Sequence, residues 1–169
     1  MKQIILITLI FSFMTLIACS KFDEKLTLQR KDFTGNELKT NGYYYYCSTQ
    51  TNVTSVLFLY RNGIALSSGG YLSHTLDSIE KKIINQKFDS KTHWGVFVVN
   101  GSSIIYEKWI GSTGFRACLG KSTGNILNDT TIHFTEWYNS EYNQTYPIDE
   151  VWHFKQFSPK PDSTNSFIK

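Results

Sequence analysis

Four carboxylates stand near aromatic side chains in the second half of the chain: Glu107 follows Tyr106, Glu136 precedes Trp137, and Asp149 and Glu150 are adjacent. Two such groups facing one cleft, roughly 5–10 Å apart, could hydrolyse a glycosidic bond. A carboxylate in a strand nevertheless usually faces water, so a carbohydrate-active enzyme is the weakest of three readings and no residue is assigned as catalytic. His74, His93, His133 and His153 are dispersed, and none stands at metal-ligand spacing from another His or Cys. His133 and His153 fall on the polar sides of two late strands and could be neighbours. No metal or other cofactor is implied. Gly120-Lys121-Ser122 looks like the end of a phosphate loop, but five residues separate Gly114 from Gly120 where that loop requires four. The flanking pattern is strand to strand, so a glycine turn is the expectation. No Gly-x-Ser-x-Gly elbow is present. Cys47 and Cys118 enclose 70 residues. A disulfide between them is permitted outside the cytoplasm, subject to a geometry that sequence does not supply.

Aromatic residues are the richest feature. Phe58, Tyr60, Trp94, Tyr106, Trp109, Phe134 and Trp152 are candidates to line a ligand cavity, and they could equally fill a solid core. A small barrel packed with side chains is solid, whereas a roomier one holds a ligand.

The elements that must position these residues are mostly strands. Ser55 to Arg61 alternates, with Val56, Phe58 and Tyr60 on one side and Ser55, Leu57 and Leu59 on the other. Asn62-Gly63 then leads into Ile64 to Ser67, and Asn100-Gly101 joins Trp94–Val99 to Ser102–Trp109. Asn-Gly between β-prone runs predicts a type I′ hairpin, because both residues tolerate positive φ. Leu76, Ile79, Ile83 and Ile84 form a one-sided apolar stripe that predicts a helix over about 75–86, with Thr75 or Asp77 as its cap. Later strands alternate at Thr130–Tyr138 and Val151–Phe157. The expectation is a mainly β domain over 38–158: a single antiparallel barrel or sandwich of about 7–8 strands with one amphipathic helix. Residues 159–169, with Pro159 and Pro161, read as an exposed tail.

The beginning of the chain carries an address. Met1-Lys2-Gln3 precedes an almost wholly apolar run from Ile4 to Ile17, too short to suit the roughly 20 residues of a membrane span. Leu16-Ile17-Ala18-Cys19 resembles a bacterial lipobox. The resemblance implies a lipoprotein signal peptide over 1–18, cleavage after Ala18 and acylation of Cys19, with 19–37 as a tether and a lipid bilayer as partner. Two or more acyl chains anchor stably where one does not. Ser20 rather than aspartate follows Cys19, which favours a Gram-negative outer membrane, periplasm-facing or at the cell surface. The formal charge of +3 comes without a basic block, so nucleic acid is not an expected partner.

The strand order, the glycine turn ahead of the aromatic strand and the late Asn128–Ile132 stretch resemble small lipocalin-like, or calycin, lipoproteins over residues 38–158. Gly42-Tyr43-Tyr44 stands where that family has Gly-x-Trp. The resemblance implies a barrel that binds a small apolar or amphipathic ligand. The competing expectation is a non-enzymatic accessory protein whose partner is another envelope protein.

Overall fold

The computed structural model describes residues 23–72, 75–112 and 117–169; the signal segment, Cys19, His74 and Gly114 lie outside the described residues. Eight strands close into one antiparallel barrel in sequential order. They are β1 (Gly42–Ser48), β2 (Val53–Leu59), β3 (Ile64–Leu72), β4 (Trp94–Asn100), β5 (Ser103–Ile110), β6 (Cys118–Asn128), β7 (Thr131–Asn139) and β8 (Gln144–Gln156). The architecture is therefore the lipocalin-like barrel of the sequence reading and not a sandwich. Helix α1 (Leu76–Asn85) and a single 3-10 turn (Lys91–His93) occupy the crossover from β3 to β4. Thr75 caps α1 by accepting from the Ser78 N–H, while Asp77 turns away to pair with Lys155.

Both Asn-Gly hairpins form, with different turn chemistry from the expected one. Asn100 still pairs with Ser103, so the two-residue turn is Gly101-Ser102. Of these only Gly101 has positive φ, the type II′ pattern. At the other hairpin β2 ends at Leu59 and the loop runs from Tyr60 to Gly63. Positive φ again falls on the glycine alone, and the Asn62 side-chain oxygen accepts from Ile64 N instead. A single flexible residue suffices in each case.

The barrel has a closed base and a looser rim. At the base, the 60–63, 101–102 and 129–130 turns gather around residues 33–41, which plug the interior. Leu38 is 1% exposed there, Phe33 packs on Phe97 at 5.7 Å, and Lys39 N donates to Asp129 O. Tyr44 points down into the plug, and its hydroxyl donates between Lys39 O and Asp129 O. Toward the rim two seams part. β1 pairs with β8 only from Gly42↔Gln156 to Tyr45↔His153, and β3 meets β4 only over Ile64 to Leu66.

Alternation along the strands feeds two dry layers instead of one. Tyr44, Leu57, Leu59, Phe97, Ile104 and Phe134 belong to the interior cluster. Tyr43, Phe58, Leu66, Trp94 and Trp109 belong to a second cluster on the outer wall. That outer layer is covered by α1, through buried Ile79 and Ile83, and by both ends of the described chain. Tyr43 donates to Glu80 on α1 at 2.9 Å, and its ring meets Phe58 and Phe157 edge-on, each at 5.7 Å.

Residues 23–28 are a strap on this wall, although 19–37 reads as a solvated tether. Asp23 accepts from Ala117 N and pairs with Lys91, and Trp109 Nε1 donates to Glu24 O. Further down, the buried carboxylate of Glu107 accepts from Thr27 N, Thr27 Oγ1 and Leu28 N at 2.6–2.7 Å. The C-terminal segment is likewise packed where an exposed tail was expected. Lys160 Nζ donates to Thr40 O and Leu59 O and lies 3.8 Å over the Tyr60 ring, and Tyr60 donates to Pro161 O. Phe167 and Ile168 are half-buried against the outer cluster.

Candidate functional site

Above the packed base, the interior opens into a cavity of about 280 Å³ lined by Ser55, Leu57, Ser67, Tyr106, Lys108, Ser122, Trp137, Ile148, Glu150 and Trp152. The hollow has a cause in small residues. In register beside Lys108 stand Gly95 on β4 and Gly120 on β6. A Cβ at Gly95 would press on Lys108 itself, and one at Gly120 would overlap the Trp137 ring. With no side chain at either position, Lys108 reaches across β4 to Ser67 Oγ at 3.2 Å and the Trp137 ring closes onto Gly120 of β6.

The lining combines apolar rings with polar groups that are not fully spent. Tyr106 is 6% exposed, and its hydroxyl meets no partner in hydrogen-bonding geometry, although Ser67 stands near it. Burial raises the phenol well above its usual value, so it is a neutral donor throughout the physiological range. Burial also pulls the Lys108 ammonium below its ordinary 10.5. Lys108 forms no ion pair among the described residues. The one acid in the lining, Glu150, accepts from Trp152 Nε1 at 3.0 Å. Tyr46 stacks on Trp152 at 6.0 Å on the side of the parted β1–β8 seam. A groove along that seam, lined by Tyr46, Ser55, Ile148 and Glu150 among others, adjoins the cavity and gives it a side approach.

Of the seven aromatic candidates, Tyr106 and Trp152 line the cavity, and Phe134 lies in the interior core with its ring edge-on to Trp152 at 6.1 Å. Phe58, Tyr60, Trp94 and Trp109 are on the outer wall, where Trp94 Nε1 donates to Phe88 O. Lys108, Trp137, Ser55 and Ser67 were not singled out from sequence as lining, and Glu150 and Ser122 were read only as one of four carboxylates and as part of a glycine turn. Lys108 had an available signal: it stands two residues after Tyr106, hence on the same face of β5.

The remaining candidates for chemistry do not converge. Glu107 faces the outer strap, Glu136 is exposed, and Asp149 is exposed and bonded to His133 at 2.7 Å, which leaves Glu150 alone of the four in the cavity. His93 is bonded to Ser67 O and His153 is exposed, and no cluster able to hold a metal ion occurs among the described residues. Cys47 is an exposed free thiol and Cys118 a buried one, on strands that do not pair, so they are not disulfide-bonded. Gly120-Lys121-Ser122 is not a turn but the interior of β6, and its Ser122 lines the cavity. Among the described residues no helix is long and apolar enough to cross a membrane. Comparison with known protein families, with curated proteins and with solved structures finds no match, so the site is read from its own geometry.

Proposed function

We propose that the protein is a membrane-anchored binding barrel that takes up a small amphipathic molecule in its rim-side cavity. The observation that carries this reading is the pairing of hollow and lining: about 280 Å³ of interior space, with two indole rings, a buried phenol and an ammonium converging on it. Binding sites of this kind are concave and largely apolar, with a few polar groups that orient the ligand. The volume, about 280 Å³, lies just under the ~300 Å³ at which such sites usually begin, so the ligand is compact. Anchoring is the second part of the proposal and rests on Leu16-Ile17-Ala18-Cys19, with acyl chains on Cys19 and residence at the outer membrane.

Exposed apolar side chains give less support to a protein partner. Leu127 is at the base, Ile84 is on α1, Leu72 ends β3, and Tyr142 and Tyr146 belong to the β7–β8 hairpin at the rim.

Native mass spectrometry of the mature protein, incubated with an organic extract of bacterial envelopes, tests the binding reading. A discrete adduct is expected, and Ser122→Leu, which fills the cavity, is expected to abolish it. No adduct with the unsubstituted protein, or an adduct indifferent to Ser122→Leu, would remove the cavity from consideration.

A further inference from the structure

Resting on that reading of the cavity, we infer that its ligand is a small organic anion: a compact carboxylate with an apolar, planar body. Two donors in the cavity meet no anionic acceptor, and one of them, the Tyr106 hydroxyl, meets no acceptor at all. Tyr106 presents a hydroxyl that is buried and without a bonded partner, a condition that costs free energy until something accepts from it. Lys108 has a single neutral partner, Ser67 Oγ, and no carboxylate in ion-pair range among the described residues. Tyr106 and Lys108 are two apart on β5 and therefore share a face. A carboxylate only accepts, offers several lone pairs, and can engage both donors together. Bonds of this charge-assisted type are about twice as strong as neutral ones.

Glu150 does not supply that acceptor: it forms no ion pair with Lys108 and no hydrogen bond with Tyr106, its bonded partner being the Trp152 indole, and it also lines the adjoining groove. A cationic ligand would gain Glu150 but would face Lys108 in the same cavity. The rings of Trp137 and Trp152 favour a planar body, and about 280 Å³ excludes a long alkyl chain lying wholly inside.

Three probes of nearly equal shape separate the possibilities: 2-naphthoate, 2-naphthamide and 2-naphthylmethylammonium, titrated calorimetrically into the mature protein at neutral pH. The acid is expected to bind about ten-fold or more tighter than the amide, and the ammonium weakest. Lys108→Met should weaken the acid far more than the amide, closing most of the gap between them. Tyr106→Phe should weaken the acid several-fold without lowering the melting temperature, since it removes a hydroxyl that has no partner in the empty protein. Glu150→Gln should tighten the acid. Should Lys108→Met fail to fold, Glu150→Gln makes the same discrimination, because removing a negative charge from the lining favours the acid and leaves the neutral amide little changed. Equal binding of acid and amide, or tightest binding of the ammonium, overturns the anion and leaves the cavity reading intact. Binding of none of the three overturns both.

Discussion

Tyr44 and Leu38 close the base of the barrel by complementary means. Leu38 supplies apolar volume, and the Tyr44 hydroxyl supplies a donor between the carbonyl of Lys39 and that of Asp129, the latter also accepting from Lys39 N, so that the chain entering the barrel keeps its backbone groups paired. Leu38→Ala should cost about 2–5 kcal/mol, the range for a buried leucine replaced by alanine, measured by denaturant unfolding. A loss under 1 kcal/mol would mean the plug is not part of the cooperative core. The residues that hollow the cavity act by absence. Gly95 and Gly120 make room for Lys108 and Trp137, which is why the aromatic count alone could not separate a filled barrel from a hollow one. Gly120 beside Lys121 and Ser122 has the composition of a turn, and only its pairing with Lys108 on one side and Asn139 on the other reveals a strand interior.

Among the elements, the hairpins and α1 were legible because their signals are local: alternation, a glycine at the turn, an apolar stripe. The two straps were not. Irregular segments carry no period, and 23–28 is held by single anchors whose partners are 68 to 94 residues away, such as Lys91 and Glu107. The same blindness misassigned the aromatics. Phe58 and Tyr60 alternate as a core face should, but the strap and helix outside the wall make that face as dry as the interior. Glu107→Ala would leave two backbone donors and the Thr27 hydroxyl unpaired. It should cost about 3 kcal/mol, taking the upper part of the range for hydrogen bonds to a charged group, and should make residues 23–30 the first site of limited proteolysis. Asp23 gives the strap an acid dependence. The Ala117 N–H and then the Lys91 ammonium hold its carboxyl below the usual 3.8. The folded-state value is depressed, so this contribution is fully present above 3.8 and is lost as pH falls through the lower folded value. Amide exchange at residues 23–28 should therefore quicken in strong acid, and Asp23→Asn should already show the faster exchange at pH 6.

At the scale of the molecule, an eight-stranded barrel normally has one core, and this one has two concentric layers with strands as the partition. Lys160, donating to the carbonyls of Thr40 and Leu59 beneath the C-terminal strap, joins that strap to the entry of β1. A single antiparallel barrel or sandwich was readable from strand count and alternation, whereas closure into a barrel and the cavity were not, since they depend on which strands pair and which stand opposite across the interior. For the proposed anchor, Cys19→Ala is expected to move the protein from the membrane pellet to the soluble fraction. The mature amino-terminal peptide should gain the mass of its acyl groups, and an unmodified peptide starting elsewhere would refute the anchor.

The grip of Lys91 and Ala117 on Asp23 also sets an orientation. Lys91 opens the 3-10 turn that leads into β4 and Ala117 immediately precedes β6, so the strap is fastened at the rim and not at the plugged base. Cys19 is four residues earlier, a reach of at most ~14 Å. Acyl chains on that sulfur would hang the barrel mouth-down, its opening within a short diffusive hop of the headgroups, so that guests would be exchanged with the leaflet itself in preference to the bulk water beyond.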